Sequence, residues 1–404
     1  MFAAFASASF FHPTSNIQHS PSKHSTSQNK NLHIVLMLPF NAQLIERDSL
    51  NHLKGKVPQG SLLALEYYEG VLLALDSQKQ KGMNITLHVY DTYSDSATVR
   101  KLFLLDEVHD ADLIIGPVYP YELLVATQLA KQLKIPLFSP IVAASNSFYD
   151  NPYYYICNST LRTHCETIAD YISLHDSGAE KVFMLYRESN PQEMNLANFF
   201  IQHDKEGKEN YGLQLNLMKV TEKTIPDYFR VDSLFDSTIK NIVIIPSMDE
   251  YFVNTMVKNL YGLSGKYQIK LFGMPKWKNF TALDNENLET LSTIISASSF
   301  IDDSSAAYIK FDTLFTNKFD RYPTDFSVQG YDLTLFIGTE FSKYGRGFEK
   351  QLAFTKHDEL ADTYSFIPKM NMSRDTTLDR LFDYNENENV KLIQYKNGKL
   401  VKVN

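Results

Sequence analysis

Two cysteines in 404 residues exclude a disulfide-stapled miniprotein and a zinc module built on clustered thiols. Glycine and proline, at 16 and 15 residues, fall below the ~7% and ~5% of average chains, which removes the collagen-like and low-complexity classes. Basic side chains are outnumbered, 39 Lys and Arg against 47 Asp and Glu, for a formal charge of −8. The electrostatic footprint of a nucleic-acid binder is therefore missing. No apolar run reaches the ~20 residues needed to span a bilayer. What remains is a folded chain with 44% apolar content, whose length predicts two or three domains at ~150 residues each.

The N-terminal stretch MFAAFASASFF is apolar and small, and Ala6-Ser7-Ala8 has the look of an export cleavage site. No Lys or Arg precedes it, so it reads as the remnant of a signal peptide. His12 to Asn31 is polar, with Ile17 its one aliphatic residue, and reads as a flexible linker. His12, His19 and His24 lack the regular spacing and the Cys or acidic partners of a metal site. Residues 1–31 are thus expected to be a signal remnant and linker, placing the protein in the periplasm or cell envelope.

From Leu32 the hydrophobic period alternates between two modes. Leu32 to Leu38 is nearly continuous in apolar residues and ends at Pro39, as a strand buried on both faces should. Ser61 to Lys79 then carries Leu65, Tyr68, Leu72 and Leu75 at helical spacing. Strands at Ile85–Tyr90, Ala111–Pro117 and Ile135–Pro140 alternate with helices at Ser96–Glu107 and Tyr121–Leu133. A second series follows, with helices at Arg162–His175, Glu193–His203 and Asp249–Leu260. Its strands are Val182–Tyr186, Leu213–Leu217, Ile242–Pro246 and Ile269–Gly273. Repeated β-α units predict an α/β fold of two doubly wound, mostly parallel sheets, with ligand sites beyond the carboxyl ends of the strands. Thr293–Ile301 reads as a further extended passage. The helical patterns Ala306–Phe319 and Tyr331–Tyr344 have no second strand series to cover and are expected to return to the first lobe. Val390 to Val401 reads as a hairpin turning at Asn397-Gly398.

Chemistry-bearing motifs are scarce. There is no G-x-S-x-G elbow, H-E-x-x-H, EF-hand loop or G-x-G-x-x-G after a strand. Gly262 to Tyr267 has the wrong glycine spacing for a phosphate loop and reads as a helix-end turn. Cys157 and Cys165 are candidates for a catalytic thiol, an oxidised pair or two inert core thiols. The acidic pairs Asp302-Asp303 and Asp249-Glu250 suit acid–base work or helix capping. No nucleophile–base pair is legible, and neither an enzyme activity nor a cofactor is expected.

Glu66 to Asp76, following the first strand, resembles the first-helix signature of type I periplasmic binding proteins, the leucine/isoleucine/valine-binding and receptor ligand-binding group. So do Leu113-Ile114-Ile115-Gly116-Pro117 and Ile135-Pro136-Leu137-Phe138-Ser139-Pro140. Ile244 to Glu250, Phe272 to Trp277 and Gln329-Gly330-Tyr331-Asp332 resemble a cell-envelope branch of that family, often fused to a LysM repeat. No such repeat is visible here. The resemblance spans Leu32 to Val403 and implies two lobes joined by a three-segment hinge, closing on a small ligand. The lobes are expected at 32–155 with 300–355 and at 156–299 with 356–404.

The resemblance implies that Ala144 and Ser145, with Asn146 beside them, hold a ligand carboxylate. Tyr119 and Tyr121 stand where a hydroxyl is usual. Where the family places an acid for the ligand ammonium, this chain has Pro275, Lys276 and Trp277, which argues for an anionic or aromatic ligand. Trp277 either stacks on ligand or packs, and Lys276 either pairs an anion or is a solvated loop charge. Ser247 and Asp249 bind ligand or cap a helix, and Tyr186 and Ser189 complete the candidates. Two functions are implied. One is an exported, non-catalytic solute-binding protein capturing a small polar ligand, amino-acid-like or anionic, for an ABC-transporter permease or a sensor. The other is a ligand-free cell-envelope interaction protein resembling the family's activators of peptidoglycan synthases.

Overall fold

A computed structural model describes residues 31–45, 57–141, 150–175, 181–206, 213–221, 234–370 and 383–403. The expected signal remnant, the linker and its three histidines lie outside the described residues. The chain divides into two compact units, 1–157 with 301–387 and 158–300 with 388–404, so it passes from one to the other three times.

The first unit opens with β1 (Asn31–Leu38), α1 (Gln59–Gln80), β2 (Asn84–Asp91), α2 (Ser96–Leu102), α3 (Asp106–His109), β3 (Leu113–Ile115), α4 (Pro120–Leu133), β4 (Leu137–Ser139) and β5 (Tyr154–Ile156). The second holds α5 (Leu161–His175), β6 (Lys181–Tyr186), α6 (Pro191–Glu206), β7 (Asn216–Lys219), β8 (Lys240–Ile244), α7 (Glu250–Leu263), β9 (Gln268–Gly273), α8 (Asn285–Thr290) and β10 (Ile294–Ala297). The chain then returns to the first unit for α9 (Ala306–Phe319), α10 (Asp325–Tyr344), β11 (His357–Asp358), β12 (Thr363–Tyr364), β13 (Phe366–Lys369) and β14 (Tyr384–Asn387). It closes in the second with β15 (Lys391–Lys396) and β16 (Lys399–Lys402).

The first sheet runs β13-β14-β5-β4-β3-β1-β2 and the second β16-β15-β10-β9-β8-β6-β7. Within each, the five strands laid down first pair parallel, in the doubly wound order 2-1-3-4-5. Strand β1 shows why a continuous apolar run was needed. Leu32, Ile34, Leu36 and Leu38 enter one core layer, and Val35 and Met37 the opposite one. Both faces are covered, by α1 and α10 on one side and by α2 and α4 on the other.

Helices α1 and α10 pack backbone against backbone. A methyl group on Gly70 would land on the Ser327 carbonyl, and one on Gly330 on the Tyr67 carbonyl, so only glycine admits this crossing. Arg321, in the turn between α9 and α10, ties that turn to α1, reaching Glu69 and, at 3.2 Å, Glu66.

Several expectations are corrected. The described residues 356–370 and 383–387 group with the first unit, where the second was expected. The Asp332 carboxylate of α10 accepts the amides of Leu360, Ala361 and Asp362, and β14 pairs parallel with β5. The strand expected at Leu213–Leu217 begins instead at Asn216, because Gln214 is left-handed at φ 48° and interrupts the extended run. The helix expected from Tyr331 starts at Asp325, where Thr324 and Ser327 form a capping box. The terminal hairpin turns through Asn397 and Gly398, at φ 53° and 73°, the signs of a type I′ turn. Cys157 and Cys165 are free and buried, and burial holds both thiols well above their usual range. They are neither an oxidised pair nor a catalytic thiolate.

Candidate functional site

In this strand order the chain reverses direction across the sheet between β1 and β3 and between β6 and β8, so the loops at those carboxyl ends are the places to look. Each unit carries its own set.

In the first unit, β3 ends in Gly116 and the cis Gly116–Pro117 bond, and the chain enters α4 through Tyr119 at the N-cap and Pro120 in the first turn. The Tyr119 and Tyr121 rings stack at 5.5 Å with 9° between their planes. The Tyr121 hydroxyl donates to the Ser94 carbonyl at 3.3 Å, which joins this loop to the one after β2. Beneath them Glu122 is fully buried. Burial raises its carboxyl above the usual range, against the lowering influence of the Thr92 hydroxyl and the Tyr119 and Asp95 amides. Ala144, Ser145 and Asn146, expected after β4, lie outside the described residues.

In the second unit the loops are braced by a network that sequence reasoning missed. Arg187, directly after β6, donates from Nε and Nη2 to Glu193 at 3.1 and 2.5 Å and from Nη2 to Asp249 at 3.0 Å. Its guanidinium lies 4.3 Å from the centroid of the Phe252 ring. The Ser247 hydroxyl donates to Glu193 at 2.7 Å, and the Trp277 indole N–H donates to the Ser247 carbonyl at 2.8 Å. Salt-bridge partners six residues apart across a strand–helix turn have no sequence signature, whereas Arg after an apolar strand followed by Glu at a helix start is the one hint available.

This network decides among the candidates. Trp277 is 1% exposed, while Ser247 and Tyr186 are also buried. The Ser247 hydroxyl and the Trp277 indole N–H are engaged within the unit, which suits a supporting role for these two. Asp249 caps α7 through the Phe252 amide at 3.0 Å, yet 41% of its side chain remains exposed. Burial works against its charge, but the Phe252 amide and Arg187 hold the carboxyl below the usual range. Lys276 is exposed in the 3-10 turn Pro275–Asn279, and its Nζ lies 3.4 Å from the carbonyl of Met248, the neighbour of Asp249. Ser189 is exposed beyond β6. The exposed acid of this unit therefore stands at the end of β8, on Asp249, beside the loop after β9. The other acidic positions are structural: Asp302 binds the Ser304 hydroxyl at 2.6 Å and Glu250 the Ala282 amide at 2.8 Å. Among the described residues no three His, Cys, Asp or Glu side chains gather as a metal site, and no helix is long and apolar enough to cross a membrane.

No protein-family model matches the chain, and no curated protein matches it in sequence. Solved structures do. A putative branched-chain amino acid ABC transporter protein of Rhodospirillum rubrum is similar at TM-score 0.62 and 12% identity, over 92% of this chain and 99% of that one. An ABC transporter substrate-binding protein of Desulfitobacterium hafniense matches at TM-score 0.58 and 12% identity, over 92% and 100%. Full-length LpoA of Haemophilus influenzae matches at TM-score 0.56 and 14% identity, over 93% of this chain and 59% of that one. The chain has the two-lobed α/β fold of type I periplasmic binding proteins.

Proposed function

We propose that this protein is a non-catalytic solute-binding protein acting outside the cytoplasm, in the periplasm or cell envelope. It captures a small polar ligand, amino-acid-like or anionic, and presents it to an ABC-transporter permease or a sensor. The observation that carries this reading is the pair Asp249 and Lys276. Opposite charges stand exposed on neighbouring strand ends of the second unit, above a base fixed by Arg187, Glu193, Ser247 and Trp277. A few convergent polar groups on a rigid support suit recognition of a zwitterion. The fold agrees, since the Desulfitobacterium hafniense protein, whose description names it a substrate-binding protein, is matched over its whole length. Ser189 extends that set within the second unit, and Tyr119 and Tyr121 are the corresponding candidates of the first. A thermal-shift screen against amino acids, purines, peptidoglycan fragments and dicarboxylates tests it, because a ligand at 100 times its Kd adds about 2.7 kcal/mol of stability. A flat melting temperature across the panel would remove the reading.

A second reading, an envelope interaction protein without a small ligand, is favoured by the same network seen the other way. Arg187, Ser247 and Trp277 satisfy each other and leave few groups for a solute. The likeness to LpoA agrees with it. Co-purification of an envelope protein by a chain that binds nothing in the screen would select it.

A further inference from the structure

Among the described residues four strands, β2, β7, β13 and β16, stand at the edges of the two sheets. Three of them are guarded. Strand β7 has four residues and ends at Lys219, β16 has four and carries Lys399 and Lys402, and β13 has four and contains Pro368 and Lys369. Shortness, lysine and proline keep another chain from adding to an open edge. Strand β2 has none of these. Its eight residues, Asn84 to Asp91, include no Lys, Arg or Pro and keep one register with β1 throughout, so no bulge turns the edge aside. Its carboxylate, Asp91, is taken up by the amides of Asn41, Ala42 and Tyr93 at 3.0, 2.9 and 2.9 Å.

The open side of β2 follows from one bond. Thr92, just past the strand, donates its amide to the Leu38 carbonyl of β1 at 3.0 Å. Bonding direction alternates along a strand, so the even-numbered residues bond inward to β1, and Ile85, Leu87 and Val89 turn their N–H and C=O groups outward. Among the described residues β2 pairs with β1 alone, and Ile85 to Asp91 are all half-buried. Side chains alternate as well. Ile85, Leu87 and Val89 pack on the core layer that α1 and α10 cover. Thr86 and His88 lie on the other face, where Thr86 bonds Asn31 at 3.1 Å and His88 stacks on His33.

We propose that β2 pairs antiparallel with β2 of a second copy of this chain, joining the two first-unit sheets about a two-fold axis at Leu87. The outward groups dictate the register. Residues that exchange both bonds must face outward on each strand, so Leu87 stands opposite its own copy and Ile85 opposite Val89. Side chains then match on both faces: apolar meets apolar on one, and Thr86 meets His88 on the other, with no like charges opposed. Centring the pairing one residue further on would set His88 against itself, and one residue back would shorten the overlap. The contact is isologous and closed, since it consumes the unguarded edge of each copy and leaves β13, with its Pro368 and Lys369, at either end of the joined sheet.

Sedimentation of the full chain over a concentration series tests it, with two double variants beside the wild type. The wild type moves from monomer to dimer mass as concentration rises. Thr86→Glu with His88→Glu opposes like charges across the axis and weakens the dimer at least about tenfold. Thr86→Lys with His88→Glu opposes unlike charges at the same positions and restores it. Both pairs lose the same bond to Asn31, so a folding defect would touch both alike. In the wild type the amides of Ile85, Leu87 and Val89 also exchange with solvent more slowly as concentration rises, a readout that needs no variant. A wild type that stays monomeric, exchange at these amides that ignores concentration, a first variant that dimerises as tightly as the wild type, or a second as weak as the first overturns the proposal.

Discussion

Trp277 and Ser247 are joined across two strand ends by an indole N–H donating to a backbone carbonyl at 2.8 Å, with the ring 1% exposed. The bond makes the only tryptophan a keystone beneath the exposed Asp249 and Lys276. Trp277→Ala should destabilise the chain by about 3–5 kcal/mol, and Trp277→Phe by less, since most of the apolar volume stays. Urea unfolding measures both. Because the ring is enclosed, acrylamide should barely quench its native fluorescence; strong quenching would place it at the surface.

The Gly70–Gly330 crossing gives a second expectation. Either glycine replaced by Ala drives a methyl into a carbonyl of the opposing helix, where backbone cannot yield as a side chain can. A loss of at least about 1–3 kcal/mol follows, read as a lowered Tm. An unchanged Tm for Gly330→Ala would show that the helices are further apart.

Arg187 is 8% exposed and has the buried Glu193 and the half-exposed Asp249 as its charge partners. Glu193→Ala removes the buried partner, leaves the guanidinium with Asp249 alone and should cost up to about 3–5 kcal/mol. The partly exposed Asp249 behaves differently: Asp249→Asn keeps the α7 cap, so its stability should change little.

Stability should also depend on pH through Glu359, between β11 and β12. Burial, opposed in part by Lys81, raises its carboxyl from 4.5 to about 7. The folded state therefore holds this proton more tightly than the unfolded chain. Its contribution is fully present below about pH 4.5 and is lost as pH rises through about 7. Glu359→Gln removes the titration, so the fall in Tm between pH 5 and pH 8 should be smaller than in the wild type. An identical fall in both proteins would assign the pH dependence elsewhere.

The alternation of strand and helix was legible because strands such as β1 are buried on both faces and so read as unbroken apolar runs. Strand β14 was not, since its residues are Tyr384, Asn385, Glu386 and Asn387. It is held by amides, with Asn385 donating to the Pro152 carbonyl at 2.9 Å and Asn387 to that of Cys157 at 3.0 Å. Hydrophobic periodicity cannot register such a strand, so nothing in the pattern ties Tyr384–Asn387 to the first unit. The site was legible to the level of loops, because strand ends locate them. Which side chains face outward was not, since burial of Ser247 and Trp277 depends on Arg187 and Glu193, partners that no spacing rule connects.

Solute capture is tested most directly by calorimetric titration of amino acids into the wild-type chain and into a Lys276→Ala, Asp249→Asn double variant. The wild type should bind at least one zwitterion saturably at one site per chain, and the double variant, folded to the same Tm within a few degrees, should bind it at least about tenfold more weakly. No heat from any amino acid, or equal affinity in the two proteins, would contradict the account.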